Sequence, residues 1–489
     1  MSMRFFILIL ASCCSCFAST DYTHYQSPFS TRYASPEMSE LFSLQKRHAT
    51  WRSIWVALAE AEKDLGLDIT QEQIDAMKSQ VQNIDFDSAN KYEKELKHDV
   101  MAHIYAFADQ CPIARPIIHL GATSCLITDN ADELIMREAL QLIRTKLLKT
   151  MKNLSATALK YKDLPCLSYT HFQAAQPTTV GKRMTLWLLE LWMDFKDLEY
   201  RLANQPFLGI KGATGTQASF LQLFNGDHDK VKALEKNIAL RLNYSHTFPV
   251  SGQTYSRKQD TQILEVLSGI CASAHKMSTD LRLLAHLSEI EEPFGKNQVG
   301  SSAMPYKRNP MENERICSLA RYVLSLAENP KYTSSLQWFE RTLDDSANRR
   351  LCIPEAFLAT DTILNLLANI AENLIVYPQM IKKHLDQELP FLATESILMV
   401  CVQKGADRQS IHELIRKHSQ EVGYALKNLD AENDLLDRLL NDPAFPLTPE
   451  EIVQILNVQD FIGRAPQQVE EFIAEFIQPL FEIKLMEHR

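Results

Sequence analysis

The sequence predicts an all-α protein, and three observations lead to that prediction. Glycine supplies only 14 of 489 residues and proline 20, which disfavours a turn-rich β protein. After residue 50, apolar residues recur at helical spacing almost everywhere. Several of these periodic segments are far longer than an average helix, and helices of that length usually pack into a bundle.

The first predicted helices follow one another with few interruptions. One opens after Thr50, a candidate N-cap, and ends at Leu65. Two more are expected at 130–160 and 178–204. The clearest spans 255–292, where apolar residues from Leu267 to Leu287 recur at steps of three and four. A straight helix of that length would extend for about 57 Å.

Another helix should begin at Pro310, with Asn309 as N-cap and Glu312 closing a capping box. A long helix follows at 350–377, and shorter ones should start near Asp407, Thr448 and Ala465. We therefore divide the chain into an N-terminal helical domain at 21–123, a central long-helix bundle at 124–376 and a C-terminal helical domain at 377–489.

The first twenty residues form an apolar N-terminal extension. Arg4 precedes the apolar run 5–11, and small residues with cysteines follow, which is the layout of a short leader but too short to span a bilayer. The rest of the chain is typical of a cytoplasmic protein, so export or a mis-assigned start are the alternative interpretations. No other uncharged apolar stretch is long enough for a membrane span.

Charge and cysteine content exclude further classes. The net charge of −10 and a pI near 5.8 argue against nucleic acid as a partner, because a binder needs a cationic face. Apart from the cluster at 13–16, the ten cysteines are scattered singly, which indicates free thiols in a reducing compartment. Cys13 and Cys16 have no second pair to complete a zinc site.

One loop, residues 300–310, is the strongest local signal. Its first half is small and hydrogen-bonding, while Lys307 and Arg308 bring two cations beside a predicted helix N-terminus. It is either a flexible linker or an anion-binding loop, and its two prolines favour the second interpretation. Motifs for dinucleotides, P-loop phosphates, zinc proteases and serine hydrolases are absent, so we expect no metal and no organic cofactor.

From about Tyr25 to the end, the chain resembles the adenylosuccinate lyase family of the fumarase/aspartase superfamily. The resemblance rests on the loop and on four further blocks, namely 32–38, 97–103, 170–173 and 340–350. It implies β-elimination of fumarate from adenylosuccinate, giving AMP, and from the succinyl-aminoimidazole-carboxamide ribotide of purine nucleotide biosynthesis. It also implies a homotetramer whose central helices form a twenty-helix core and whose active sites collect segments from three chains.

The same resemblance assigns roles to residues. Ser301 would be the base and His171 the acid. An alcohol can act as a base only where positive charge is dense, and Lys307, the N–H groups of the loop and the helix dipole at Pro310 would supply that charge. The substrate-binding residues it implies are Arg32, Tyr33, Lys97, His98, Asp99, Thr123, Ser124, Thr170, Gln253, Lys307, Asn309, Arg315, Arg341, Ser346 and Arg350.

Several other interpretations stay open at this point. Argininosuccinate lyase, fumarase and aspartase share the serine loop, although the Tyr306-Lys307-Arg308 variant favours adenylosuccinate. A non-catalytic structural protein on the same scaffold and a purely helical interaction module are the alternatives of other classes. Without the family, each arginine would be a surface ion-pair partner, and Arg349-Arg350 after Asp344-Asp345 an intrahelical charge ladder.

Overall fold

The computed structural model describes residues 23–481, and these residues form a helical protein, as predicted. The predicted leader, with Arg4 and the cysteines at 13–16, lies outside the described residues. The helices of the N-terminal part are α1 (Pro36–Leu41), α2 (Leu44–Asp64), α3 (Gln71–Ser79), α4 (Phe86–Leu96) and α5 (Asp99–Gln110).

The start of α2 differs from the prediction. Its N-cap is Ser43, whose hydroxyl accepts a hydrogen bond from the backbone N–H of Lys46 at 3.1 Å. Thr50 lies inside the helix, where its hydroxyl donates to the carbonyl of Lys46 at 2.8 Å. A threonine that satisfies its hydroxyl on the preceding turn does not need to end a helix, so Thr50 was the wrong cap.

The central part contains the longest helices and two small antiparallel sheets. Its elements are α6 (Ser124–Lys160), β1 (Pro165–Thr170), β2 (Gln173–Thr179), α7 (Val180–Ala203), α8 (Ala218–Leu223), α9 (His228–Arg241), α10 (Lys258–His286), β3 (Ile290–Glu291), α11 (Met311–Leu326), α12 (Glu328–Ser335), α13 (Asp345–Asn373) and β4 (Ile375–Val376). Helices α6, α7, α10, α11 and α13 pack against one another as a five-helix bundle.

The bundle core is built from the apolar stripes of these helices. In α10 the predicted seam is buried from Leu267 to Leu284, and Leu287 is only partly buried. The helix ends earlier than predicted, because Ser288 adopts a left-handed conformation with φ 57° and the chain then enters β3, which pairs with β4. Helix α10 is therefore about 44 Å long rather than 57 Å.

The C-terminal part consists of shorter helices, and three of their starts confirm the prediction. Its elements are α14 (Pro378–Leu392), α15 (Thr394–Gln403), α16 (Arg408–Asn428), α17 (Leu435–Leu440), α18 (Pro449–Ile455) and α19 (Ala465–Phe472). Asp407 caps α16 by accepting from the N–H of Ser410 at 2.8 Å, and Thr448 forms a capping box with Glu451 at the start of α18.

Buried apolar residues of the described range form three clusters, one in the bundle, one around α2 and one in the C-terminal part. Residues of α8 and α9 join the cluster around α2. The domain boundaries at 123 and 376 stay a prediction. Among the described residues one helix, α13, is long and apolar enough to cross a membrane, but 67% of its most apolar stretch is buried in the protein, as in a core helix.

The buried carboxyl group of Glu62 in α2 should make the stability of the protein depend on pH. Its side chain is fully buried, neither carboxylate oxygen has a hydrogen-bond partner among the described residues, and burial raises its pKa to about 9. Between its unfolded pKa of about 4.5 and that value, the folded state holds a proton that the unfolded state has released. The free energy of unfolding therefore falls as pH rises through this window.

We expect Glu62→Gln to gain stability relative to the parent protein as pH rises. The difference in unfolding free energy should grow by about 1.4 kcal/mol per pH unit between pH 5.5 and 7.5, because the amide needs no proton. Urea unfolding at three pH values measures it. Glu72→Gln, on an exposed position of α3, is the control and should follow the parent curve. If the unfolding free energy of Glu62→Gln changes with pH in parallel with that of the parent protein, the prediction is wrong.

Candidate active site

A cleft of ≈ 680 Å³ lies between α6 and α13, with α2 and the α4–α5 junction forming its outer wall. It follows α6 from Ser124 to Met136, a distance of about 18 Å. More than half of the predicted site residues line it: Lys97, His98, Asp99, Thr123, Ser124, Gln253, Arg341, Ser346 and Arg350. Segments far apart in sequence thus meet in one place within a single chain.

The α4–α5 junction places three of these residues. Lys97 ends α4 in a left-handed conformation with φ 54°, so the chain turns sharply and His98 becomes the N-cap of α5. Its Nδ1 accepts from the backbone N–H of Met101 at 3.3 Å. In the neutral ring the proton is then on Nε2, which lies 3.5 Å from the hydroxyl of Ser124 across the cleft. The helix cap therefore fixes both the tautomer and the orientation of His98.

The N-terminus of α6 opens into the same cleft. Thr123 occupies the N-cap position but makes no side-chain capping bond, so the first-turn N–H groups near Ser124 and Cys125 keep their hydrogen-bonding capacity. The dipole of this 37-residue helix adds partial positive charge at this end. This arrangement suits a carboxylate or phosphate.

Gln253 is held between two other loops. Its backbone N–H donates to the carbonyl of Glu340 at 3.0 Å, and its side-chain Nε2 donates to the carbonyl of Ala213 at 3.0 Å. A Cβ on the neighbouring Gly252 would lie 2.6 Å from the Glu340 oxygen, so only glycine allows this approach. The thiol of Cys125 donates to Oε1 of Gln253 at 3.3 Å.

The first turns of α13 bring Ser346 and Arg350 to the cleft. Arg350 donates to Asp99 at 2.9 Å and is half exposed. Arg349 points inwards and pairs with Asp132 and Asp260 on other helices, so the alternative of a ladder within α13 does not apply to it. Within the described residues, the one i, i+4 ion pair of the 340–350 block joins Arg341 and Asp345.

Thr170 and His171 lie on the β1–β2 hairpin and do not line the cleft. Thr170 pairs with Gln173, which leaves His171 and Phe172 as a two-residue turn with φ 52° and 57°. Positive φ at both positions is the signature of a type I′ turn, which normally contains asparagine and glycine. The histidine and phenylalanine are therefore strained, and His171 projects exposed from the hairpin tip.

Ser301 is partly exposed in a loop that folds back on itself. Its Oγ accepts hydrogen bonds from the backbone N–H groups of Ala303 at 3.3 Å and Met304 at 3.1 Å. Asn309 donates to the carbonyl of Gly300 at 2.7 Å, and a Cβ on Gly300 would lie 2.1 Å from the Lys307 oxygen. Lys307 is exposed and makes no ion pair within residues 23–481. The two N–H groups that donate to the Ser301 oxygen would stabilise a negative charge on that oxygen.

The cap of α11 corrects the sequence prediction. Asn309 does not cap the helix, and no side chain of the predicted capping box does so. Instead, the buried carboxylate of Glu292 accepts from the N–H groups of Glu312 and Asn313, both at 3.0 Å. The α11 dipole is thus used by Glu292 and is not available to Ser301. Arg308 also pairs with Glu291, at 3.1 Å, so of the two cations of this loop only Lys307 has no ion pair to the part of the chain that the structure describes.

Arg32, Tyr33 and Arg315 form a separate group. The guanidinium carbons of Arg32 and Arg315 lie 5.9 Å and 5.7 Å from the centre of the Tyr33 ring. None of the three lines the cleft. One chain therefore presents the predicted site residues in separate places: the cleft, the hairpin tip, the serine loop and this group of two arginines and a tyrosine.

Comparison with known proteins identifies the family. A family model described as Lyase matches residues 30–325, and one described as Adenylosuccinate lyase C-terminus matches residues 390–472. An adenylosuccinate lyase from Saccharomyces cerevisiae is 51% identical over 93% of this chain and 95% of its own length. The chain belongs to the adenylosuccinate lyase family. A relative of the same name from Schistosoma mansoni is 48% identical over 94% of this chain and 96% of its own.

Solved structures agree on the fold. The 3-carboxy-cis,cis-muconate lactonizing enzyme from Pseudomonas putida superposes with a TM-score of 0.81 at 24% identity, covering 92% of this chain and 98% of that one. A fumarate lyase from Mesorhizobium sp. BNC1 gives a TM-score of 0.78 at 22% identity, covering 92% and 100%. These two similarities concern the architecture alone.

In this adenylosuccinate lyase family member, the buried charged residues that line the cleft were not identified from the sequence. Asp129 and Arg257 are almost fully buried and line the cleft, yet neither belongs to a block that suggested a role. Arg47 of α2 also lines the cleft, without an ion pair among the described residues. Asp129 is followed by Asn130, and Arg257 stands between Ser256 and Lys258, so no pattern in the sequence set these two charges apart.

Proposed function

We infer that the protein is a lyase that cleaves adenylosuccinate to AMP and fumarate, and the succinyl-aminoimidazole-carboxamide ribotide in the same way. The observation that carries this conclusion is the 51% identity to an adenylosuccinate lyase along nearly the full length of both chains. The cleft supports it, because a single substrate with a phosphate and two carboxylates requires several converging cations and N–H groups.

In the proposed reaction, Ser301 removes the proton from the carbon beside a succinyl carboxylate. The electron pair forms the C=C bond of fumarate as the C–N bond breaks, and His171 delivers a proton to the departing nitrogen. The two N–H groups on the Ser301 oxygen lower the free-energy cost of forming the alkoxide, as does Lys307, whose charge is not neutralised by any carboxylate among the described residues. The same charges stabilise the carboxylate-centred negative charge that develops in the transition state.

Substrate binding is divided among the groups. We propose that Lys97, Arg341 and Arg350 bind anionic groups in the cleft, with Ser346, Gln253 and the N-terminus of α6 donating hydrogen bonds. His98 donates through Nε2 to the reacting end of the substrate or orients the acid. Arg32, Tyr33 and Arg315 would complete the site from another chain, together with Thr170 and Asn309.

We propose that the protein is a homotetramer with a twenty-helix core and active sites shared between chains. Two observations support this. The base and the acid lie outside the cleft that holds most of the binding residues. Helix α7 also exposes Leu186, Leu189 and Met193 at helical spacing. In a soluble protein such an apolar stripe is normally buried against another element. Five bundle helices per chain would give twenty in four chains.

For the cellular location we propose the cytoplasm. The seven cysteines between Cys111 and Cys401 are all buried free thiols, which suits a reducing compartment.

A steady-state assay on the purified protein tests the function. We expect ultraviolet absorbance to report fumarate release from adenylosuccinate and from the succinylated carboxamide ribotide, and no turnover of argininosuccinate, malate or aspartate. Turnover of one of these three compounds in place of the succinylated nucleotides would assign the protein to another branch of the superfamily. Absence of turnover with all five compounds would favour a non-catalytic role.

A further inference from the structure

Four charged side chains that line the cleft form a continuous chain of ion pairs. Asp129 of α6 accepts from Nη1 of Arg257 at 2.9 Å and from Nη2 at 3.2 Å. The Nε of Arg257 donates to Asp345 at 2.7 Å. Asp345 in turn accepts from Nη1 of Arg341 at 2.9 Å with each of its oxygens. The chain links three segments distant in sequence and ends on a proposed substrate ligand.

Asp129, Arg257 and Asp345 are held in place because their side chains are almost fully buried. The side chains of Asp129, Arg257 and Asp345 are 3%, 1% and 1% exposed, whereas Arg341 is 22% exposed. Burial alone would raise the pKa of Asp345, but Arg257, Arg341 and Arg349 together hold it below its usual value. Asp345 is therefore an anion, and a buried anion bound by a rigid guanidinium cannot turn away.

The contacts of Arg341 fix one edge of its guanidinium and leave the other edge free. Nη1 donates to Asp345 and to the carbonyl of Thr342 at 2.6 Å. All hydrogen bonds of the Arg341 side chain come from Nη1, so Nη2 and Nε have no partner in the range 23–481. Because the group is planar, anchoring Nη1 sets the direction of the remaining donors.

We propose that Asp345 and Arg257 are positioning residues that hold Arg341 ready to bind an anionic group of the substrate. This inference rests on the proposed function, in which Arg341 is a substrate ligand. A long arginine side chain that is ordered before the substrate arrives loses less conformational entropy on binding. Without Asp345 this preorganisation is lost, although the charge of Arg341 remains.

The structure offers a matched control in a second buried ion pair. Asp260 is fully buried and accepts from Nε of Arg349 at 2.7 Å and from the hydroxyl of Tyr255 at 2.6 Å. It makes no contact with Arg341. Removing either aspartate uncovers a buried arginine, so both changes should destabilise the fold by the same mechanism. Only the change at Asp345 releases Arg341.

We expect Asp345→Asn to raise KM for adenylosuccinate at least tenfold while kcat changes less than threefold. Asp260→Asn, at a comparable loss of melting temperature, should leave KM within twofold of the parent protein. If Asp345→Asn does not accumulate as folded protein, Arg257→Lys makes the same test. Lysine lacks the planar group that binds Asp129 through Nη1 and Nη2 and Asp345 through Nε, so it cannot hold Asp345 in the same fixed orientation. Equal KM changes in the Asp345 or Arg257 variant and the Asp260 variant would overturn the proposal.

Chemical rescue separates this proposal from the proposed function. Arg341→Ala should lose affinity for substrate, and millimolar guanidinium should restore it at least fivefold when Asp345 is present. The same concentration of guanidinium should not rescue Arg341→Ala/Asp345→Asn, and sodium chloride controls for ionic strength. Rescue that is independent of Asp345 would overturn the positioning role while the lyase assignment stands. A parent protein without lyase activity would instead overturn the proposed function.

Discussion

Ser301→Ala is expected to abolish turnover and to leave substrate binding nearly intact. Removing the base should lower kcat by about 10²–10⁴-fold or more, which is the usual range for a general base. Titration calorimetry with adenylosuccinate should give a dissociation constant within about threefold of the parent KM, since a contact made only in the transition state does not contribute to ground-state binding.

The expected split between kcat and binding follows from the geometry of the loop. The N–H groups of Ala303 and Met304 that point at the Ser301 oxygen belong to the backbone, so they remain in the variant. Lys307 also remains and can still attract the substrate. Ser302→Ala removes the neighbouring exposed hydroxyl and is the matched control, with kcat expected within twofold of the parent. A near-normal kcat for Ser301→Ala would remove Ser301 from the mechanism.

Helix starts were predictable from sequence wherever the cap is local. Asp407 and Thr448 cap the helices that they directly precede, so a few residues contain the whole signal. The start of α11 was predicted within one residue, at Pro310 rather than Met311, but its cap was not. The capping carboxylate comes from Glu292, some twenty residues away and on the other side of a loop. A non-local cap leaves no pattern at the helix that it serves.

The β1–β2 hairpin escaped prediction for a related reason. Its turn contains His171 and Phe172 in place of the asparagine and glycine that mark a type I′ turn. Two small sheets in a helical chain change little of the architecture, but this one presents the proposed acid. The sequence signal was weakest where the backbone is strained, and strained backbone is often found at functional sites.

The cleft itself could be predicted only in part. The blocks around Lys97 and Arg341 identified about half of its polar lining, because each block is contiguous in sequence. Asp129 and Arg257 could not be paired from sequence, since their partnership depends on how α6 meets the start of α10. The separation of His171 and Ser301 from the cleft is likewise a property of three-dimensional packing.

That separation leads to the second large effect, a recovery of activity on mixing two inactive variants. If the base and the acid of one site come from different chains, a tetramer that contains both Ser301→Ala and His171→Ala subunits will contain some intact sites. In a random one-to-one mixture each required residue is functional with a probability of one half. About a quarter of the sites should therefore regain both groups.

We expect each variant alone to be inactive, and the mixture, after reversible dissociation and reassembly, to show roughly a quarter of the parent activity. Size-exclusion chromatography with light scattering would verify that both variants and the mixture form tetramers. Mixing Ser301→Ala with Ser301→Ala/His171→Ala is the matched control and should recover nothing, because neither partner supplies a base. If the original mixture stays inactive although hybrids form, Ser301 and His171 of each site belong to one chain. The hairpin tip and the serine loop of a single subunit would then serve the same site.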